Sequence, residues 1–257
     1  MDRAARKHLN DLINDSHKFP SIQNILKFEG YNGPDAIKRK SPSQDEPWHF
    51  YSPFNDDDSQ LIELINQHYQ QLVKTLKEDN RVRAAFEAAW LAHAITDGLT
   101  PAHHYPYEEK IFELRGESTD NRASVREKLI IPGGTRREIV ENNWKMWGPK
   151  GLLSTHSLFE LGVATLIKPM SFTDAKPSED DLKEILEFGV TEVFKRRARE
   201  IAVLDMYGYF YRRGWTIKLM LDVRQKLAPL IIQTITLSWY KALVDSGKVK
   251  ALKKYQP

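Results

Sequence analysis

A chain of 257 residues with 41% apolar and 28% charged side chains is long enough to bury a sizeable core. It has no unbroken run of about 18 apolar residues, so no membrane-crossing helix is expected. Cysteine is absent, which excludes disulfides and thiolate metal ligands, and a net charge of +3 is too mild to imply a polynucleotide partner.

The chain opens Met1-Asp2-Arg3 with no apolar signal-like segment, which predicts no signal peptide and points to the cytoplasm. Ala4, Leu9, Leu12 and Ile13 fall near one stripe and predict a helix over 3–14. Gly, Pro, Ser, Asn and Asp then concentrate over Gly30–Asp58, which reads as a loop. Residues 58–77 repeat apolar side chains at Leu61, Ile62, Leu64, Ile65, Leu72 and Val73, a helical spacing. Arg81 to Thr96 is rich in Ala, Leu and Trp and holds no Gly or Pro, which predicts a buried helix. Loops are expected at Gly116–Gly134 and around Lys168–Pro177. Lys128 to Ile131 is the best strand candidate and is too short to build a sheet upon.

Ser178 followed by Glu179, Asp180 and Asp181 is a helix start, with a capping hydroxyl and acids in the first turn, and a helix is expected through about Tyr209. A last helix is expected from about Trp215 to Leu243, kinked or divided at Pro229. One all-α domain spanning 1–257 is the simplest organisation. From Lys195 to Lys254 there are 14 Lys or Arg against four acids, Glu200, Asp205, Asp222 and Asp245. Such a stretch reads first as a solvated helical face and otherwise as a surface for anionic substrate.

Eight histidines are present, at 8, 17, 49, 68, 93, 103, 104 and 156. His93 and Asp97 are four apart on a strong helix, so their β-carbons lie about 5–6 Å apart on one face. An imidazole nitrogen and a carboxylate oxygen can then converge on one cation at about 2.0–2.2 Å. Gly98 and Pro101 are expected to end or bend that helix and swing His103 back over the same region. Alone, such a pair reads as a core contact and a helix end. It is accompanied by a second i, i+4 pair, His156 and Glu160, just after a capping residue at Ser154 or Thr155. Two such pairs on separate helices can face each other across a bundle, where metal sites are built. A third element is Gly33-Pro34-Asp35 with Trp48-His49-Phe50-Tyr51-Ser52-Pro53, a loop that can supply ligands. His68, on an amphipathic helix without a partner motif, reads as structural.

In this order the segments resemble the zinc-dependent phospholipase C and single-strand-specific nuclease family, all-helical enzymes that cleave phosphodiesters with three zinc ions. His93-x3-Asp97-x5-His103 is similar to the family's central helix motif, and His156-Ser-Leu-Phe-Glu160 to its His-x3-Glu/Asp motif. The segment around His49 is similar to the phospholipase His-Phe-Tyr segment, and Asp35 has the spacing of its upstream Asp. The motifs cover about residues 33–160; the later helices fit only in kind.

The resemblance implies a metal-ligand set of Asp35, His49, His93 and Asp97 around one zinc, and of His103, His156 and Glu160 around a second, with Asp97 bridging to a third. His104 is the alternative to His103, and the six-residue step from Asp97 favours His103. The family's third zinc draws on an N-terminal Trp and a His shortly after it. Here the chain opens Met1-Asp2-Arg3-Ala4, which leaves His8, and after it His17, to take that place; each reads first as a surface His. Two or three zinc ions are therefore expected.

The implied activity is metal-assisted hydrolysis of a phosphodiester, with Asp35 and Asp97 as the catalytic carboxylates. Asp35 either binds metal or positions the attacking water. The His-Phe-Tyr segment and Glu160 lean towards a phospholipid substrate, while the basic C-terminal stretch keeps single-stranded nucleic acid open. Trp48, Phe50, Tyr51, Tyr105 and Tyr107 are expected either at the mouth of the site or in the core. The family is exported, in contrast to the location that the N-terminus suggests. A helical metal- or lipid-binding protein without catalysis is the alternative of a different class.

Overall fold

Helical periodicity without strand signals yields helices and no strand among the described residues. The computed structural model describes residues 1–13, 15–40, 47–117 and 124–251. Its α-helices are, in order, α1 (Asp2–Leu12), α2 (Ile22–Ile25), α3 (Pro34–Lys40), α4 (Gln60–Lys77), α5 (Arg81–Leu99), α6 (Tyr107–Arg115), α7 (Val125–Leu129), α8 (Arg136–Trp147), α9 (Leu152–Ile167), α10 (Glu179–Val203), α11 (Met206–Arg213), α12 (Ile217–Asp222) and α13 (Ala228–Asp245).

The centre is built on α5, α4 and α13. Ala84, Ala85, Ala88, Ala89 and Ala92 of α5 are all buried, and such small side chains let neighbouring helices come close. A short turn links α4 to α5; Asp79 takes a left-handed backbone there (φ 55°), and the Asn80 side chain accepts from the Arg83 N–H at 3.1 Å. Trp239 of α13 is fully buried and donates from Nε1 to the Ala88 carbonyl at 3.1 Å, so the largest core side chain also satisfies its one polar atom. Leu9 and Ala5 of α1 are buried, and α1 packs along α13.

His68 is structural, as its sequence context suggests. Its Nδ1 lies 2.7 Å from Glu87 Oε2, and Arg83 Nε donates to Glu87 Oε1 at 2.6 Å, which satisfies a fully buried carboxylate.

Several expected boundaries shift. The expected loop Gly30–Asp58 contains α3, whose first residue Pro34 has the φ a helix start needs. The expected loop Gly116–Gly134 contains α7, where the Ser124 hydroxyl accepts from the Glu127 N–H. Residues 41–46 and 118–123 of those loops lie outside the described residues, as does 252–257 at the end of the expected domain. The capping box expected at Ser178 is present. The long helix after it is broken at Gly189 (φ 79°, ψ 173°) and ends at Val203, because Asp205 turns left-handed (φ 46°).

Pro229 acts as expected, and the chain absorbs it with one π-helical turn at Val223–Leu227 that joins α12 to α13. The joined helix Ile217–Asp245 is long and apolar enough to cross a membrane by length and composition alone. Its most apolar window is 78% buried among the other helices, as for a core helix.

The basic C-terminal stretch is largely paired. Arg197 meets Asp181, Glu184 and Glu200; Arg199 meets Asp56; Arg212 meets Asp205; Lys218 and Lys226 share Asp222; Lys241 meets Asp245; Lys248 meets Asp79. This is the solvated-face reading; Lys253 and Lys254 lie outside the described residues.

Candidate metal centre

The centre begins at the end of α5. Pro101 disfavours a helical conformation at Thr100, which is extended (ψ 121°), and the turn Pro101–His104 folds back. Gly98 does not end the helix, contrary to expectation. It is there for packing: a Cβ at this position would meet Leu61 Cδ2 and Phe194 Cζ at 2.5 Å each. The fold-back returns His103 towards Asp97, with His103 Nδ1 3.9 Å from Asp97 Oδ1.

From the other side, α9 brings His156 and Glu160. The helix starts at Leu152 after Gly151, with no side-chain cap; Ser154, expected as a capping candidate, instead donates to the Trp147 carbonyl at 2.8 Å. Glu160 Oε1 lies 2.8 Å from His103 Nε2 and 3.1 Å from His156 Nε2. The two imidazoles stack with centroids 4.9 Å apart and planes 9° apart. One ligand atom from each of His103, His156 and Glu160 lies within 4.8 Å of the others, a spacing a single cation can span. Burial opposes ionisation of Glu160, but the hydrogen bonds and charge of His103 and His156 outweigh it and hold the carboxyl well below the usual carboxylate range.

A second group gathers on His93. Its Nε2 lies 3.3 Å from Asp97 Oδ2 and 3.7 Å from Asp35 Oδ1, and its Nδ1 lies 3.6 Å from Glu29 Oε2. Asp35 sits in the first turn of α3, with its side chain 56% exposed at the mouth. Asp97 therefore offers one oxygen to each group. His49 reaches the same cleft on the loop pinned by the Tyr51 N–H donating to the His103 carbonyl at 3.1 Å, and its ring lies 5.3 Å from that of His103. All seven expected ligands line one cleft of about 680 Å³.

Two further carboxylates line it that spacing alone does not reveal, Glu29 and Asp2. Burial, and then the Glu29 carboxylate, push Asp2 up to about 6 against the pull of the amino terminus and His93. Leu26, Val163, Ile167 and Ile231 form an apolar wall.

The substitutes expected for the third metal are elsewhere. His8 is buried rather than on the surface, with Nε2 2.7 Å from the Phe172 carbonyl, and His17 is exposed beside a different cleft. His104 points away from the centre, with Nε2 2.8 Å from the Gly98 carbonyl, and burial pushes it down to about 4.

The aromatic residues back the ligands rather than line the mouth. Tyr51 is buried against Phe194, Phe50 stacks on Tyr107, Trp48 meets Phe50 edge-on, and Tyr107 meets the His156 ring edge-on at 4.8 Å. Tyr105 lines a separate cleft with Tyr207.

The donor set is nitrogen and oxygen only, the imidazoles of His49, His93, His103 and His156 with carboxylates on either side of Asp97, a set that could hold a metal ion. No family model, curated protein or solved structure matches the chain.

Proposed function

We propose that the chain is a zinc-dependent phosphodiester hydrolase of the phospholipase C type. The observation that carries this reading is the convergence of His103, His156 and Glu160 within 4.8 Å, joined through Asp97 to His93 and Asp35. One zinc would be held by His103, His156 and Glu160, and another by Asp35, His49, His93 and Asp97. Zinc held in this way lowers the pKa of water towards about 7 and offsets negative charge on phosphoryl oxygens.

The chain's own groups supply the rest. Asp97 has one carboxylate oxygen 3.3 Å from His93 Nε2 and the other 3.9 Å from His103 Nδ1, so it would join the two ligand groups. Glu160 would contribute a negatively charged ligand beside the two imidazoles. Asp35, half in solvent at the mouth, is placed to accept a proton from an attacking water. The apolar wall suits the glyceryl and acyl part of a phospholipid. A nuclease reading has less support, because no Phe, Tyr or Trp is among the cleft-lining residues described and the basic C-terminal stretch is tied up in ion pairs.

A non-catalytic metal-binding reading is favoured by one observation: His8 and His17 both lie outside the cleft, so a third metal lacks their imidazoles. Metal stoichiometry by elemental analysis, with turnover of a phosphatidylcholine analogue against single-stranded DNA by zinc-loaded protein, tests these readings. Turnover of the phosphatidylcholine analogue is expected. Cleavage of neither substrate at any zinc concentration removes the hydrolase reading.

A further inference from the structure

Between His103 and His156 the chain leaves the metal cleft, forms α6, α7 and α8, and returns. Both roots of this excursion are candidate ligands. Its outer helix, α8, is amphipathic in an unusual sense. Met146 is buried, Asn143 donates to the Ile131 carbonyl at 2.8 Å, and Asn142 donates to that of Pro132 at 3.0 Å, so one side is pinned to the 129–132 segment. The other side presents Val140, Trp144 and Trp147, spaced i, i+4, i+7, to water. Val140 is 67% exposed and Trp144 66%. Trp147 Nε1 donates to the Leu129 carbonyl at 2.7 Å, which sets exposed Leu129 and Ile130 beside the stripe.

Large apolar side chains in one exposed group mark a surface that is covered by something. The charge around them identifies what. Residues 124–150 carry six cations, Arg126, Lys128, Arg136, Arg137, Lys145 and Lys150, against Glu127, Glu138 and Glu141. Two of those acids are engaged locally: Glu138 accepts from the Thr135 N–H at 3.1 Å and Glu141 pairs with Arg137 at 2.7 Å. Arg136, Lys145 and Lys150 are exposed around the stripe. Exposed tryptophans flanked by Lys and Arg on a surface helix are the composition of a helix that lies in a membrane interface, with indoles at headgroup depth and cations on anionic lipid.

We infer that the exposed face of α8 docks on an anionic phospholipid bilayer, with Val140, Trp144 and Trp147 entering the interface and Arg136, Lys145 and Lys150 on the headgroups. This goes beyond the hydrolase reading and does not depend on it. Because α8 is followed directly by α9 and packs against it, the docked face is joined to the helix that carries His156 and Glu160.

The test is co-sedimentation of the full chain with phosphatidylcholine vesicles, with and without phosphatidylglycerol, read together with tryptophan emission. Binding with a blue shift is expected, at least tenfold stronger with phosphatidylglycerol and weakened by salt. Val140→Ser/Trp144→Ala, two exposed positions, is expected to lose at least tenfold in vesicle binding with unchanged circular dichroism and unchanged turnover of soluble p-nitrophenylphosphocholine. Arg136→Gln/Lys145→Gln is expected to lose most of the preference for phosphatidylglycerol. No vesicle binding by the parent chain, or equal binding by the Val140/Trp144 variant, overturns the inference. So does a dimer in sedimentation that this variant dissolves, which would make the face a contact between two copies. Vesicle binding and turnover are read separately, so an inactive protein that still binds vesicles refutes the hydrolase reading alone.

Discussion

His103 and Glu160 meet at 2.8 Å although 57 positions separate them, one on the turn after α5 and the other on α9. This contact brings two motifs that are each weak alone into one group that could hold a metal. A metal bound there would replace that contact with two metal–ligand bonds.

Asp97 has an oxygen towards each half of the centre, so its substitution should affect both. Asp97→Asn is expected to remove more metal than Glu160→Gln, and His68→Ala none. The loss at Asp97 should exceed the 10–100-fold in affinity typical of an outer partner. Elemental analysis of the purified variants checks this; equal effects at Asp97 and His68 would refute the assignment.

Asp35 is largely exposed, so its replacement should leave the fold intact and report on the proposed chemistry. Asp35→Asn is expected to leave thermal stability within about 0.5 kcal/mol. It should lower kcat by about 10²-fold or more, as for loss of a proton acceptor. Metal at His103, His156 and Glu160 should be retained. Turnover and metal content measured on one sample separate these outcomes.

Gly98 has no room for a side chain between Leu61 and Phe194. Gly98→Ala is expected to destabilise the fold by about 1–3 kcal/mol, the usual cost of overpacking. Denaturant unfolding measures it. The neighbouring Asp97 would shift with the strained turn, so metal affinity should fall in parallel.

Glu87 is fully buried and serves both His68 and Arg83. Glu87→Ala strands the His68 ring without its partner and is expected to cost about 1–3 kcal/mol. Metal content should not change, which distinguishes this buried His–Glu pair from the one at His103 and Glu160.

Tyr69 donates to Asp245 at 2.6 Å, and burial together with that bond raises its hydroxyl above the ordinary value of 10. Below pH 10 the hydroxyl is protonated in both the folded and the unfolded chain, and the contribution is complete. Above it the unfolded chain ionises first, so stability falls as pH rises, by about 1.4 kcal/mol per pH unit for this one group. Chemical unfolding from pH 9 to 12 should show that fall setting in above pH 10 in the parent chain and a shallower one in Tyr69→Phe.

The sequence by itself determined the helical class, because apolar spacing, the Ser178 capping box and Pro229 all act over a few residues. It also determined the ligand types, since a chain without cysteine can hold a metal only through His, carboxylate or backbone. His93 with Asp97, and His156 with Glu160, were legible for the same reason: a helix puts i and i+4 on one face. Tertiary structure alone decided what lies between those pairs. Glu29 and Asp2 enter the cleft through the packing of α1 and the turns before α3, which no spacing announces. His8 was drawn into the core, because its side of α1 faces other helices rather than water. The exposure of Trp144 likewise follows from where α8 lands on the fold, since a tryptophan's burial depends on what packs against it rather than on its neighbours in sequence.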